Sequence, residues 1–399
     1  MKDKNSGIAI LLAFALIPLS GFATDIYIPS LPAMAGELKV SSVNVQLTLS
    51  LFLISYGASQ LFVGSFLDSF GRYKACLTSL LIFAIASIVI ATTTNLYLIY
   101  FMRVIHGLTV GIIIVGKRAY FVDLFTGDKL KHYLSLFSII WSAGPIVAPF
   151  IGGYLQKAFG WQSSFYFLGG LALIMAILEY FFSGETLVNS TPFQFKRIIN
   201  IYKEMITTVT FSLGIVMLGL AYGMVMIYNM TGPFIIEHSL HLSPVIAGYS
   251  SLILGFAWMT GDFIGKATIN RPFYKRLVVN LALQASFVAA MIISIPFISN
   301  LYSLIFFAFI IHISTGFTFN NYFTFCLGKF PKNAGIAGGL TGGMAYVIIS
   351  FLSYAVVNFI PAKDERNLSY SYLVFVLLSA LVMFTVYQFK NKEARTITS

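Results

Sequence analysis

Apolar residues in this chain run in long stretches broken by short polar intervals. A helix needs about 20 apolar residues to cross the hydrocarbon layer. Windows of that length predict twelve spans, at 7–28, 43–64, 76–94, 97–121, 132–155, 163–183, 206–229, 244–264, 277–298, 301–325, 335–360 and 369–389. Only helices and closed barrels satisfy their backbone groups in lipid. The runs lack the alternation of a barrel strand, so the pattern predicts an all-α polytopic membrane protein. Ala33-Met34-Ala35 fits a signal-peptide cleavage pattern. The apolar stretch before it is longer than a usual signal core and eleven more spans follow, so it is expected to stay as the first helix.

Composition agrees with lipid as the main solvent. The 399 residues are 58% hydrophobic and 10% charged, whereas a soluble domain carries about 25% charged residues. Of the 25 Lys and Arg, 18 fall in segments that share a side with the N-terminus and four in the opposite segments. The positive-inside rule therefore predicts that both termini are cytoplasmic. This bias accounts for the net charge of +11, and nucleic acid is not expected as a partner. Cys76 and Cys326 make neither a disulfide framework nor a metal site.

The longest interior polar stretch, 183–204, contains "SGETLVNSTPFQFKR". It predicts an N-terminal six-helix bundle over 1–183, a cytoplasmic linker over 184–205, and a C-terminal six-helix bundle with a short tail over 206–399. Two such halves around a midplane cavity are the architecture of many secondary transporters.

Asp25 is the first candidate for chemistry. An ionised Asp at a helix centre costs about 2.5–3.5 kcal/mol on insertion scales, so it is expected to face the interior and find a partner. Arg103 in the fourth span lies at a similar depth, provided the first helix continues past Pro29 to about residue 33. A carboxylate that binds substrate when deprotonated and returns empty when protonated would exchange a proton for a solute. His106 follows Arg103 by three residues and shares its face, so it is either a proton relay or a neutral packing group. Lys117 and Arg118 are expected to snorkel to the interface, and Glu179 and Asp262 are weaker coupling candidates. A cavity is expected to draw on Tyr56, Gln60, Trp141, Tyr228, Asn229, His312 and Asn320, since aromatic walls with few polar groups suit a lipophilic ligand.

Residues 64–77 read "GSFLDSFGRYKACL". This resembles the signature loop of the major facilitator superfamily, G-x-x-x-D-(R/K)-x-G-R-(R/K), matching it at Gly64, Asp68, Gly71 and Arg72 and departing at Ser69 and Tyr73. Asp68 and Arg72 are four residues apart and can pair on one helical face, and Gly71 permits a tight turn. Asp123 is the expected third member of this conformational switch. "RVIHGLTVG", 103–111, is similar to the family's R-x-x-Q-G signature with His106 in place of Gln. "AGPIVAPFIGG", 143–153, resembles the fifth-span motif of drug/proton antiporters. There Pro145 and Pro149 remove backbone donors, while Gly144, Gly152 and Gly153 let a neighbour approach closely. "DIYIPSLPAMA", "GPFIIEHSLHLSPVIAGY" and "AGIAGGLTGG" resemble the Bcr/CflA drug-resistance branch.

The resemblance implies a secondary active transporter in a bacterial cytoplasmic membrane, exporting a lipophilic or drug-like molecule in exchange for protons. No cofactor or metal is expected, the proton gradient being the energy source, and a monomer is expected. A proton-coupled transporter of a nutrient, siderophore or other metal chelate is the alternative. A membrane enzyme or sensor is remote, because no Walker loop, H-E-x-x-H or G-x-S-x-G is present.

Overall fold

The computed structural model describes residues 7–190, 192, 195–330 and 334–398, and among these the chain forms helices and no strand. The first span is α1 (Gly7–Leu16), α2 (Leu19–Asp25), a 3-10 turn at Ile28–Ser30 and α3 (Leu31–Leu38). Then come α4 (Ser42–Phe70), α5 (Arg72–Thr92), α6 (Leu96–Leu124), α7 (Gly127–Phe159), α8 (Gln162–Phe182) and α9 (Phe195–Thr207). The rest of the chain is α10 (Val209–Phe234) with a π-helical turn at Ile235–Ser239, α11 (Pro244–Ala267), α12 (Phe273–Ser294), α13 (Leu301–Lys329), α14 (Ala334–Phe359) and α15 (Glu365–Thr398). Twelve spans of these helices are long and apolar enough to cross a membrane, the number the apolar pattern predicts.

The breaks have local causes. Pro18, Pro29 and Pro32 each lack a backbone donor, and they divide the first span, which runs on to Leu38 rather than to 28. Ser41 caps α4 by accepting from the Asn44 amide at 3.3 Å. Asn95 caps α6 through the amides of Tyr97 and Leu98, and Asn300 forms a capping box with Ser303 on α13. At Gly71, φ is +90°, a value that glycine adopts freely, and α4 gives way to α5 there. In the stretch expected as a polar linker, α9 forms instead. Its Tyr202 and Met205 are buried while Lys196, Lys203 and Glu204 are exposed, an amphipathic pattern suited to an interface.

Contacts divide the chain into two compact units, 1–195 with 243–252, and 196–242 with 253–399. In the first, α6 packs between α4 and α5, α8 lies on α5, and α7 crosses α2. Gly107 and Gly111 bring α6 close to Ser55 and Ser59 of α4, where side chains larger than hydrogen would collide. That approach holds Arg103, one turn along α6, beside Thr48 of α4. In the second unit, α10 packs against α13, α14 and α15, and α12 against α13 and α15.

Candidate functional site

Asp25 ends α2 with 1% of its surface exposed, and Arg103 and His106 on α6 have none. The Arg103 guanidinium is held from four directions. Its Nε donates to the Thr48 carbonyl at 3.3 Å, and one terminal nitrogen donates to the Ala23 carbonyl at 2.9 Å. The same nitrogen donates to His106 Nδ1 at 3.3 Å, and the other reaches the Tyr27 hydroxyl at 3.3 Å. The Tyr27 and Phe52 rings lie 4.6 and 4.5 Å from the guanidinium carbon, within cation–π range. The Ala23 carbonyl can accept because the helix stops two residues later, leaving last-turn carbonyls without intrahelical partners. Asp25 lies within the electrostatic field of Arg103 in this enclosure.

The network also fixes the state of His106. Arg103 has only donors to offer, so Nδ1 must accept and carries no proton. The Nε2–H then donates to Ser87 Oγ at 3.0 Å, and Ser87 in turn donates to the Phe83 carbonyl at 2.9 Å. The ring stacks on Phe83 with centroids 4.2 Å apart. A second proton would turn Nδ1 into a donor facing the guanidinium. Of the two readings of His106, this geometry favours the neutral, positioning one.

The proline- and glycine-bearing helix α7 packs on the broken first span. A methyl group at Gly144 would meet the Pro18 carbonyl, one at Gly21 would meet Pro145, and one at Gly152 would meet the Ile26 carbonyl next to Asp25. Gly153 lies against Pro244 and Val245 of the segment that clusters with this unit. Pro145 and Pro149 sit inside an unbroken α7. The fifth-span motif is therefore built against the segment that carries Asp25.

A second charged cluster gathers at the α4–α5 turn. Arg72 pairs with Asp68 at 2.9 Å and with Asp123, and it donates to the Ala119 carbonyl at 2.9 Å. Gly64, one helical turn before Asp68, has open space where a side chain would begin. Sequence reasoning missed the fourth member, Glu185, although its stretch was singled out. The Glu185 carboxylate accepts from the backbone amides of Arg72 and Tyr73 at 3.1 Å each, capping the first turn of α5, where negative charge is favoured. Its neighbour Thr186 donates to Asp123 at 2.8 Å. An acid placed just past the sixth span was the available signal.

Lys117 does not snorkel. It is 5% exposed and pairs at 2.7 Å with Glu179, itself 1% exposed, whereas Arg118 lies on the protein surface. The pair lies on α6 and α8, and each member neutralises the charge that would exclude the other from the interior.

The expected cavity residues fall into two sets. In the first unit, the buried Tyr56 hydroxyl interacts with Ser20 and Trp141, and Gln60 is half-buried one turn further along α4. In the second, Tyr228 meets His312 edge-on at 5.7 Å, and Asn229 is buried beside Tyr228 in sequence. His312 Nδ1 donates to the Ala308 carbonyl at 2.7 Å. Asn320 is half-buried near Gly265. An aromatic group not anticipated from sequence joins four helices of this unit: Tyr222 lies 5.3 Å from Trp258 and 6.2 Å from Tyr346, and Trp258 lies 5.2 Å from Phe319. All four rings are partly exposed.

Twelve spans long and apolar enough to cross a membrane, with buried charged groups among them, mark a polytopic membrane protein; its family and relatives make it a transporter. The family model of the Major Facilitator Superfamily matches residues 13–354, and the chain belongs to that superfamily. It is 34% identical over 185 residues to the bicyclomycin resistance protein homolog of Haemophilus influenzae, a match covering 46% of each chain. It is 27% identical to multidrug resistance protein D of Escherichia coli over 96% of both chains. It is 26% identical to multidrug resistance protein MdtL of Shewanella oneidensis over 94% of this chain and 95% of that one. Among solved structures, a point mutant of the nucleoside transporter NupG superposes with a TM-score of 0.72 at 13% identity, covering 96% of this chain and 98% of that one. A D-xylose-proton symporter does so at 0.70 and 14%, covering 96% and 97%. At those identities the likeness is one of fold.

Proposed function

We propose that this transporter exports a lipophilic, drug-like molecule in exchange for protons, with Asp25 as the proton carrier. The observation that carries this reading is an enclosed carboxylate in the field of Arg103, at the end of a broken helix against which α7 is packed. Deprotonated, Asp25 attracts Arg103 or a cationic or polar substrate group; protonated, it releases either one. The resistance-protein names of the relatives support export of drug-like compounds. The bacterial relatives support a cytoplasmic membrane, and the Lys and Arg bias supports placing both termini inside.

Direction is tested in vesicles of opposite sidedness. Everted vesicles energised by respiration are expected to accumulate substrate and to lose it when a protonophore collapses the gradient. Accumulation confined to right-side-out vesicles would instead mark an importer.

The Asp68–Arg72–Asp123–Glu185 cluster serves as a conformational latch in this reading. Asp68→Asn removes one of the two ion pairs to Arg72, and it touches none of the groups around Asp25. Turnover is expected to fall about tenfold, the worth of a partly buried charge-assisted bond of about 1.5 kcal/mol. Equilibrium substrate binding should stay within a few-fold. Normal turnover would leave the cluster a purely structural cap.

His106→Gln separates the two roles of the histidine. A glutamine can accept from Arg103 through its carbonyl and donate to Ser87 through its amide, yet it cannot titrate. Expected is a transporter with most of its activity and an unmoved pH midpoint. Loss of pH-driven transport with Arg103 and Asp25 intact would transfer the proton to His106.

A further inference from the structure

The second unit has a cleft of about 680 Å³ at the end where α10 and α12 begin and α13 finishes. Three cations line it, Lys275 and Arg276 from the first turn of α12 and Lys329 from the last turn of α13, and its described lining includes no carboxylate. Phe273 and Phe325 stack with centroids 5.2 Å apart. Arg276 lies 5.9 Å from the Phe273 ring, and Lys329 lies 5.2 Å from Phe325. One terminal nitrogen of Arg276 donates to the Gly265 carbonyl at 3.2 Å and to Thr268 Oγ1 at 3.3 Å. Its Nε–H is enclosed and meets no acceptor among the described residues.

Positive charge placed only to set topology would be solvated and spread along loops. Here it converges on a concave site, beside rings that can carry an apolar stem. Phosphate is the anion that suits a guanidinium fork and two ammonium groups at once. A route for acyl chains begins beside it, since α12 leaves the cleft with Val278, Val279 and Leu283 all more than half exposed. Basic pockets of this kind between spanning helices bind phospholipid head groups on the cytoplasmic side. We propose that the cleft is a binding site for the phosphate of an anionic phospholipid in the leaflet on its side of the membrane, separate from the site built around Asp25.

The full-length protein, purified in detergent and delipidated, is titrated with phosphatidylglycerol or with phosphatidylcholine and read by native mass spectrometry. Phosphatidylglycerol is expected to bind with at least about tenfold preference, from the additional attraction of a net negative head group to several cations. Arg276→Gln should lower its affinity by about tenfold. Lys275→Gln combined with Lys329→Gln changes only exposed side chains and should do the same without altering elution or thermal midpoint. Equal binding of both lipids, or unchanged phosphatidylglycerol binding in the double variant, would overturn the proposal. Glycerol 3-phosphate binding as tightly as the lipid would overturn the lipid assignment and leave a site for soluble phosphate esters.

Discussion

Asp25→Asn is expected to reach the membrane at the wild-type level and to lose substrate accumulation driven by a pH gradient. Asparagine has nearly the volume of aspartate and costs less to insert into lipid, so α2 and its contact with α7 should persist. What goes is the titratable group. A gradient of two pH units supplies about 2.8 kcal/mol per proton, enough for about hundredfold accumulation in one-for-one exchange. The variant should equilibrate substrate and do no more, a loss of about two orders of magnitude in the steady-state ratio. Its substrate affinity should also stop changing with pH. Asp25→Glu keeps a carboxylate displaced by one methylene, and it should retain part of the accumulation with a shifted pH profile. Uptake into proteoliposomes under an imposed gradient distinguishes the three proteins.

Arg103→Lys should be nearly as damaging although the formal charge is unchanged. The guanidinium donates to two carbonyls, to His106 and to Tyr27 while lying close to two rings. An ammonium has three donors on one atom and no plane to stack. It cannot reach all four acceptors, so at least one buried acceptor loses its partner at a cost of about 1–3 kcal/mol. Expected is a fall in transport of about ten- to hundredfold with the protein still inserted. The pH profile should move as well, because the charge facing Asp25 is displaced. A variant with unchanged rate and pH profile would show that only net charge matters at this position.

Much of the architecture was legible because lipid imposes a rule that sequence must obey. Spans are long and apolar wherever the backbone must satisfy itself, so the twelve helices could be read from apolar windows. Gly71, Asp68 and Arg72 were legible for a local reason, the four-residue spacing and the turn. Asp25 and Arg103 stand at similar depths in their spans, but depth does not reveal what holds the arginine. Tyr27, in the turn after α2, and Thr48, on α4, fill that role as ordinary residues, and nothing in their local pattern marks them. Lys117 and Glu179 are 62 positions apart in sequence, so only the packing of α6 and α8 on α5 makes them partners. Glu185 read as loop until the α5 amides came within reach of its carboxylate. The amphipathic α9 was overlooked because a window tuned to spans averages its apolar and charged faces away.

The central claim is that one proton leaves Asp25 when substrate binds, and proton release from the purified protein measures it most directly. In weakly buffered detergent solution at a pH where Asp25 is protonated, adding substrate to the wild-type protein should release up to one proton per molecule bound, followed with a pH indicator. His106→Gln should release the same amount, and Asp25→Asn should bind substrate and release none. Release of the wild-type amount by Asp25→Asn would contradict the assignment and place the coupled proton elsewhere in the protein.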